Sequence, residues 1–311
     1  MSSKSIKVFA PATVANVACG FDVLGFAVDK PGDELILKLT DNKGIKITSI
    51  TGDEGRLPYD PEKNTVSATL MLMAQKVQYT GGIELELHKK MPLGSGLGSS
   101  AASSVAGIFA LNEILEHPLS NIDLLPYAME GERLACGSAH ADNVAPALYG
   151  GFVLIRSYNP LDIIKIPTPD DLFATIVHPH VEVETKDARN ILKKDIKLRD
   201  AITQWGNVAG LITGLFTSDY ALIGRSMQDV IIEPLRAILI PGFYDVKNAA
   251  IAAGALGGGI SGSGPSVFAL SKSANTAHLV GNAMVNEFHK LGINSDLFVS
   301  GVNKKGPIVV A

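Results

Sequence analysis

Apolar positions in the first part of the chain come in short runs before they settle into a helical period. Strand-like runs at Ile6–Phe9, Glu34–Leu39 and Ile45–Ile50 open it. Asn64 then stands as the cap or first turn of a helix carrying Val66, Leu70, Met73, Ala74 and Val77 at helical spacing, which assigns its methionines to the core. Gly82–His88 alternates strictly. Ile83, Leu85 and Leu87 share one face and Glu84, Glu86 and His88 the other, as in a strand with one wet face. On that pattern His88 is a solvated side chain rather than a ligand.

Further along, Ala101, Val105, Ile108, Leu111 and Leu115 repeat at helical spacing until Pro118 ends the helix. A helix capped by Ser120 or Asn121 follows through Leu134, then a strand over Gly150–Arg156. Asn159-Pro160 and the proline-rich run Ile166–Asp171 form the linker candidate, dividing the chain into segments 1–167 and 168–311. Beyond it the pattern predicts helices over Lys186–Lys194, Leu198–Thr217, Ala221–Ile232 and Asp245–Leu256. A glycine-rich loop over Gly257–Gly264, a strand over Ser266–Leu270, a helix over Ala274–Leu291 and a strand over Ser295–Val299 complete the order. His178-Pro179-His180 reads as a strand end, since two histidines without a third ligand make a poor metal site. Mixed elements with a wet-faced sheet predict an α+β architecture (two-layer α/β) rather than a doubly wound parallel sheet.

Composition narrows the class. With 311 residues, 46% hydrophobic and 19% charged, the chain suits one large or two medium globular domains. A net charge of −4 with no basic block argues against a nucleic-acid partner. No apolar run approaches membrane-spanning length, and Met1–Phe9 lacks the apolar core of a signal peptide. Cys19 and Cys136 are the only cysteines, with neither CxxC spacing nor a disulfide framework. A cytoplasmic enzyme of small molecules is the expectation.

The chemistry concentrates in Met91, Pro92, Leu93, Gly94, Ser95, Gly96, Leu97, Gly98, Ser99, Ser100 and Ala101. Four turn formers empty into serines and small helix-compatible residues, which presents bare backbone N–H groups at a helix N-terminus, where phosphate is attracted. No lysine opens the helix as in GxxxxGK[ST], and the glycine spacing is wrong for the dinucleotide fingerprint. A nucleoside triphosphate would need Mg²⁺ held by a hydroxyl and a carboxylate, and Ser99 or Ser100 can supply the hydroxyl. Six glycines between Gly254 and Gly264 exceed what a turn requires and suggest close approach to the phosphate loop or the substrate.

Three segments together resemble the signature of the galactokinase–homoserine kinase–mevalonate kinase–phosphomevalonate kinase (GHMP) superfamily. They are Phe9–Asp22, Pro92–Ala102 (similar to the PxxxGLGSSAA phosphate loop) and Gly254–Ser266. Within it the similarity is nearest to the homoserine kinases, through His140–Pro146, Thr185–Arg189 and Glu233–Pro241. One departure stands out: Val17, Ala18 and Cys19 occupy positions where relatives often carry Leu-Gly-Pro, which puts the local backbone in question.

The resemblance implies an N-terminal domain like ribosomal protein S5 domain 2 and a ferredoxin-like C-terminal domain, with ATP and substrate in the crevice between them. It implies ATP-dependent phosphorylation of the side-chain hydroxyl of L-homoserine, as in threonine biosynthesis. It assigns Ser100, with Ser99 as an alternative, and Glu132 to Mg²⁺, and Asn64 to the neighbourhood of the adenine. Asn16, Asp22, His140, Thr185, Arg189, Arg236 and Gly262 fall around the amino acid. The substrate chemistry agrees: a zwitterion needs an acid for its ammonium, which Asp22 offers, and guanidinium for its carboxylate, which Arg189 and Arg236 offer. Taken alone, Glu132 is an ordinary helix acid, the two arginines ordinary surface cations and His140 equally a capping residue. A mevalonate-type kinase and a non-catalytic sensor of the same fold remain alternatives. The chain does not set its oligomeric state, a homodimer being one option.

Asn143 occupies a position where several members of the superfamily carry an aspartate, and an amide cannot accept a proton at neutral pH. Asp142, one residue away on a helix or turn, would point about 100° elsewhere. The expectation is therefore transfer without a dedicated side-chain base, with Asn16 and Asn143 aligning the hydroxyl. Substitution of Asp142 is the deciding test.

Overall fold

The computed structural model describes residues 4–137 and 139–310, so Met1–Ser3, Ser138, Ala311 and the Cys136 side chain lie outside what is described. Strands β1 (Ser5–Ala15), β2 (Leu24–Thr40) and β3 (Gly44–Thr51) are followed by helix α1 (Thr65–Lys76) and strand β4 (Gly82–His88). Helices α2 (Ser99–Ile114), α3 (Asn121–Cys136) and α4 (Ala141–Tyr149) come next, then strands β5 (Phe152–Tyr158), β6 (Leu161–Ile166) and β7 (Phe173–Pro179). A helical stretch follows: α5 (Thr185–Asn190), α6 (Leu198–Thr217), α7 (Tyr220–Ser226), α8 (Glu233–Arg236) and α9 (Phe243–Ala252). Strands β8 (Gly257–Ile260) and β9 (Val267–Ser271), helix α10 (Ala274–Lys290), and strands β10 (Ser295–Gly301) and β11 (Ile308–Val310) close the order.

Among the described residues the strands form two sheets. One runs β11-β1-β2-β4-β3, with β5 joined to β2 and β6 to β5, and its parallel pair is β3 with β4. The other, β10-β7-β9-β8, is antiparallel. Antiparallel pairing dominates, as the wet face of β4 predicted: Ile83, Leu85 and Leu87 are buried, and Glu84, Glu86 and His88 half-buried. His88 bonds Thr51 Oγ1 through Nδ1 at 3.0 Å. The core gathers between the first sheet and α1, α2, α3 and α4, around Phe26, Leu35, Leu70, Val105 and Phe152. A smaller cluster around Phe243, Val246, Val280 and Phe288 fills the space between α9, α10 and the second sheet. The chain's end returns to the first sheet, where β11 pairs with β1.

Several expectations change. Asn159-Pro160 is the tip of the β5–β6 hairpin rather than linker. The helix expected over Ala221–Ile232 stops at Ser226, because Asp229 takes the backbone N–H groups of Ile231, Ile232 and Glu233 at 2.9 Å each. That competing local bonding is what aspartate offers against a helix. The Gly257–Gly264 run is not all loop: Gly257–Ile260 is a buried strand. Its glycines are needed because a Cβ on Gly258 would meet the Phe268 carbonyl at 2.3 Å and one on Gly257 would meet Met227 at 2.7 Å. Of the α1 methionines Met73 is fully buried, whereas Met71 sits on the exposed side.

Candidate active site

The turn from β4 into α2 is built by three glycines in the left-handed region, Gly94, Gly96 and Gly98. Gly98, at the helix N-cap with φ 67°, is pressed so closely that a Cβ would lie 2.1 Å from Thr13 Oγ1 and 2.7 Å from Asn143 Oδ1. Gly96 is held from the second glycine motif: Ser261 Oγ donates to its carbonyl at 2.7 Å, and a Cβ there would strike the Ser261 carbonyl. The two glycine-rich segments therefore pack against each other, as their composition suggested.

Beneath the loop lies a buried network that spacing alone did not disclose. Lys89, with its side chain 2% exposed, pairs with the fully buried Asp33. Its Nζ also donates to the Ser99 carbonyl at 2.9 Å and to Ser103 Oγ at 2.6 Å. Asp33 Oδ2 accepts the hydroxyls of Ser99 and Ser103 at 3.0 Å each, and its Oδ1 accepts Lys90 N–H. Burial pushes the Lys89 ammonium below its ordinary pKa while the Asp33 charge pulls the other way. The Ser99 hydroxyl is thus committed inward. Ser100 points the other way, donating to Glu132 Oε1 at 2.6 Å. Burial raises the Glu132 pKa, opposed by Ser100 and the Lys89 charge.

Phosphate loop, α3, α4, α5 and α8 line one cavity of about 490 Å³. It gathers Asn16, Asp22, Leu93 through Ser100, Glu132, His140, Asp142, Asn143, Thr185, Arg189, Arg236 and Gly262. Met91 and Ala101 are buried behind the loop. Pro92 faces a neighbouring open cleft instead. Asn64 is absent from the lining, although Lys63 and Thr65 on either side belong to it. Its amide caps α1, accepting from Val66 N–H at 3.1 Å and donating to the Pro58 carbonyl at 2.9 Å.

At the far end, Arg189 forms a two-pronged pair with Asp22, at 2.9 Å from Nη2 and 3.3 Å from Nη1. Arg236 is 3% exposed and anchored by the carbonyls of Ala188 at 2.9 Å and Gly262 at 3.0 Å. Burial and the neighbouring Arg189 charge lower its pKa to about 10, so it stays cationic at neutral pH. Phe21 lies under both guanidinium groups. His140 caps α4 with Nδ1 3.9 Å from Asp22 and Nε2 buried without a hydrogen-bond partner. Burial lowers its pKa, opposed by the Asp22 charge. Thr185 Oγ1 lies 3.2 Å from Ser263 Oγ.

Asn16 acts through its neighbours: Nδ2 donates to the Gly262 carbonyl at 2.7 Å, and Oδ1 accepts Asp22 N–H at 3.0 Å. The departure at Val17-Ala18-Cys19 has a visible cost, since Asn16, Val17, Ala18 and Asp22 all carry positive φ without being glycine. Such backbone persists where the surroundings over-determine it, commonly at functional sites. Asn143 Oδ1 accepts Thr13 Oγ1–H at 2.8 Å. Asp142 and Asn143, neighbours on α4, both line this cavity. Asp142 is 4% exposed, and burial reinforced by the Asp22 and Glu132 charges lifts its pKa to about 7.

The His178-Pro179-His180 segment closes β7, with His180 Nε2 3.1 Å from Asp296 and His178 Nδ1 3.3 Å from Ser266 Oγ. Among the described residues no group of three or more His, Cys, Asp or Glu side chains could hold a metal ion. None of the described helices is long and apolar enough to cross a membrane.

Comparison with known proteins gives the chain's family. The model of the GHMP kinase N-terminal domain matches residues 64–151, and that of the GHMP kinase C-terminal domain residues 211–290. A homoserine kinase of Chlorobium phaeobacteroides is 55% identical over 319 aligned positions, covering 99% of this chain and 100% of the relative. The crystal structure of homoserine kinase from Cytophaga hutchinsonii superposes with a TM-score of 0.96 at 66% identity, covering 98% of this chain and 97% of that one. The L. major mevalonate kinase in complex with R-mevalonate shares the fold, with a TM-score of 0.72 at 16% identity and 97% coverage of each chain. The phosphate loop packed against the second glycine motif, the Ser100–Glu132 pair and the full-length likeness lead to one assignment: this chain belongs to the homoserine kinases of the GHMP kinase family.

Proposed function

We propose that this chain transfers the γ-phosphoryl group of ATP to the side-chain hydroxyl of L-homoserine, giving O-phospho-L-homoserine. The observation carrying this reading is the gathering of Asp22, His140, Arg189 and Arg236 in the cavity that also holds the phosphate loop. An acid and two guanidinium groups complement a zwitterion, whereas mevalonate has no ammonium to answer Asp22. The test is ADP release with Mg-ATP and a panel of alcohols. L-Homoserine is expected to turn over far better than D-homoserine or mevalonate, and equal turnover of mevalonate would overturn the reading.

The two arginines do different work. Arg189 is a third exposed and can trade Asp22 for the substrate carboxylate, while Arg236 is fixed by backbone carbonyls. Arg189→Lys keeps the charge and loses the planar fork, which costs about 1–3 kcal/mol. Its signature is a KM for homoserine raised roughly 5- to 150-fold at an almost unchanged KM for ATP. An increase confined to the KM for ATP would remove Arg189 from the amino acid site.

Ser100 Oγ and Glu132 are hard oxygen donors 2.6 Å apart beside the loop, a set that suits magnesium completed by phosphate oxygens. When bound, magnesium neutralises charge on the phosphates during transfer. Ser100→Ala and Glu132→Gln are expected to raise the Mg²⁺ concentration needed for half-maximal rate and to lower kcat, with the fold retained. Unchanged Mg²⁺ dependence in both would return the pair to a structural role.

The phosphate loop N–H groups orient the triphosphate, and the Asp22–Arg189–Arg236 end holds the amino acid so that its hydroxyl approaches in line. Positioning of this kind supplies most of the acceleration in a loose phosphoryl transfer. Asn143 keeps its NH₂ for the hydroxyl while its oxygen serves Thr13. Asp142, with a pKa near the working pH, is the proton acceptor this arrangement supports best. It stands as an alternative to the base-free transfer expected from the sequence.

A further inference from the structure

The amino acid end of the cavity is built from two segments far apart in the sequence. One is the loop over residues 16–22, whose positive-φ residues Asn16, Val17, Ala18 and Asp22 need outside support to persist. The other is the turn over residues 229–232 that leads into α8 and so carries Arg236. One side chain outside the cavity grips both. Gln204, on the inner face of α6 and 7% exposed, donates from Nε2 to the Cys19 carbonyl in the first segment and to Asp229 Oδ1 in the second, at 2.9 Å each. Its Oε1 accepts Val230 N–H at 3.1 Å. Both donors and the acceptor of the amide are therefore engaged.

We infer that Gln204 is a positioning residue for the amino acid substrate: by tying the 16–22 loop to the 229–232 turn, it fixes the separation between the Asp22 carboxylate and the Arg236 guanidinium. The inference rests on the reading of the acceptor as L-homoserine, whose ammonium and carboxylate those two groups receive. Contacts run on from the amide in both directions. Past Cys19 the loop reaches Phe21, whose ring centroid lies 4.9 Å from Arg236 Cζ, and then Asp22. On the other side Asp229 takes the N–H groups of Ile231, Ile232 and Glu233 at 2.9 Å each, and Arg236 follows three residues later. Little slack remains there, since the cavity bounded by Asn16, Asp229, Glu233 and Arg236 measures about 10 Å³, at the limit of what one water needs. Burial and the Arg189 charge lower the Arg236 pKa, and the Asp229 charge acts against them, so the same turn helps keep the guanidinium charged. A glutamate in place of Gln204 would have no donor for the Cys19 carbonyl and would face the Asp229 carboxylate, so the amide itself is required.

Gln204→Met keeps the length of the side chain and removes all of these hydrogen bonds. It is expected to raise the KM for L-homoserine roughly tenfold and to leave the KM for ATP within about twofold of the wild type, because a small displacement already weakens a fixed set of contacts. It should also lower the preference for L- over D-homoserine in kcat/KM by about fivefold, since chirality is read only while the ammonium, carboxylate and hydroxyl sites keep their spacing. Leu211→Ala, in the buried core of the same helix, separates positioning from stability: it is expected to lower Tm at least as much and to leave both KM values and the chiral preference alone. Asp229→Asn keeps one acceptor oxygen of the turn and loses the other. It should shift the KM for homoserine and the chiral preference in the same sense, and it gives the reading should Gln204→Met not fold. A folded Gln204→Met enzyme with the wild-type KM for homoserine and chiral preference overturns the inference, as does one whose changes merely match those of Leu211→Ala. If only Asp229→Asn folds, unchanged values in it overturn the inference equally. Wild-type turnover of L-homoserine is measured in the same series. Its absence would remove the substrate reading instead, and the split between the two KM values would then be read with whichever alcohol the enzyme accepts.

Discussion

Asp142→Asn is expected to slow phosphoryl transfer by ~10²–10⁴-fold, the usual worth of a positioned general base, while making the fold more stable at neutral pH. Both effects come from one carboxyl. Burial and the Asp22 and Glu132 charges raise its pKa from 3.8 to about 7. The unfolded chain therefore loses this proton more readily than the folded one, so the folded state loses stability as pH rises from about 4 to about 7. Above that window the penalty is constant, and below it both states are protonated and none applies. A shift of this size corresponds to roughly 4 kcal/mol, which the neutral amide removes. In the wild type, kcat should fall with acidity below about pH 7 as Asp142 takes up its proton. The variant should lack that acidic limb. Denaturation and kcat profiles measured from acid to neutral pH check both halves. A variant with normal kcat and an intact acidic limb would show that Asp142 has no part in proton transfer, and one less stable at neutral pH would contradict the buried-charge account.

Lys89→Met should cost the most stability, about 3–5 kcal/mol, because it strands the Asp33 carboxylate in the interior under α2. The same change removes donors from the Ser99 carbonyl and the Ser103 hydroxyl. Asp33 would keep the Ser99 and Ser103 hydroxyls and Lys90 N–H, which cannot neutralise its charge. Adding Asp33→Asn removes the charge and leaves an amide oxygen for Lys90 N–H, while its NH₂ can donate to the serine hydroxyls, so the double variant should recover much of the loss. Urea unfolding of the two single variants and the double variant measures the coupling. Additive losses would mean that the pair does not act as a unit.

The legible parts of the sequence were those set by local rules. Turn chemistry at Pro92, Gly94, Gly96 and Gly98 marks the strand-to-helix turn, and the alternation in Gly82–His88 fixes which face of β4 is wet. The helical period in Leu198–Thr217 gave α6 its full length. Where side chains compete with the period, local reading erred. Asp229 draws the backbone away from the helix expected through Ile232, and the glycines of β8 signal close packing rather than a loop.

Residue type and spacing marked the phosphate loop, because it rests on backbone geometry, whereas the candidate Mg²⁺ ligands and the acid-and-arginine set for a zwitterion came from the resemblance to the GHMP kinases. Only the tertiary structure decided how those residues are divided. It turned Ser99 inward to Asp33 and Ser100 toward Glu132, a choice that two adjacent hydroxyls leave open in sequence. It spent the Asn16 and Asn64 amides on loop and cap bonds, and it brought Asp142 into the cavity beside Asn143. It paired Lys89 with Asp33. These outcomes depend on which distant segments meet and on the water they exclude, and neither burial nor a partner's charge is written in the spacing of residues along one element.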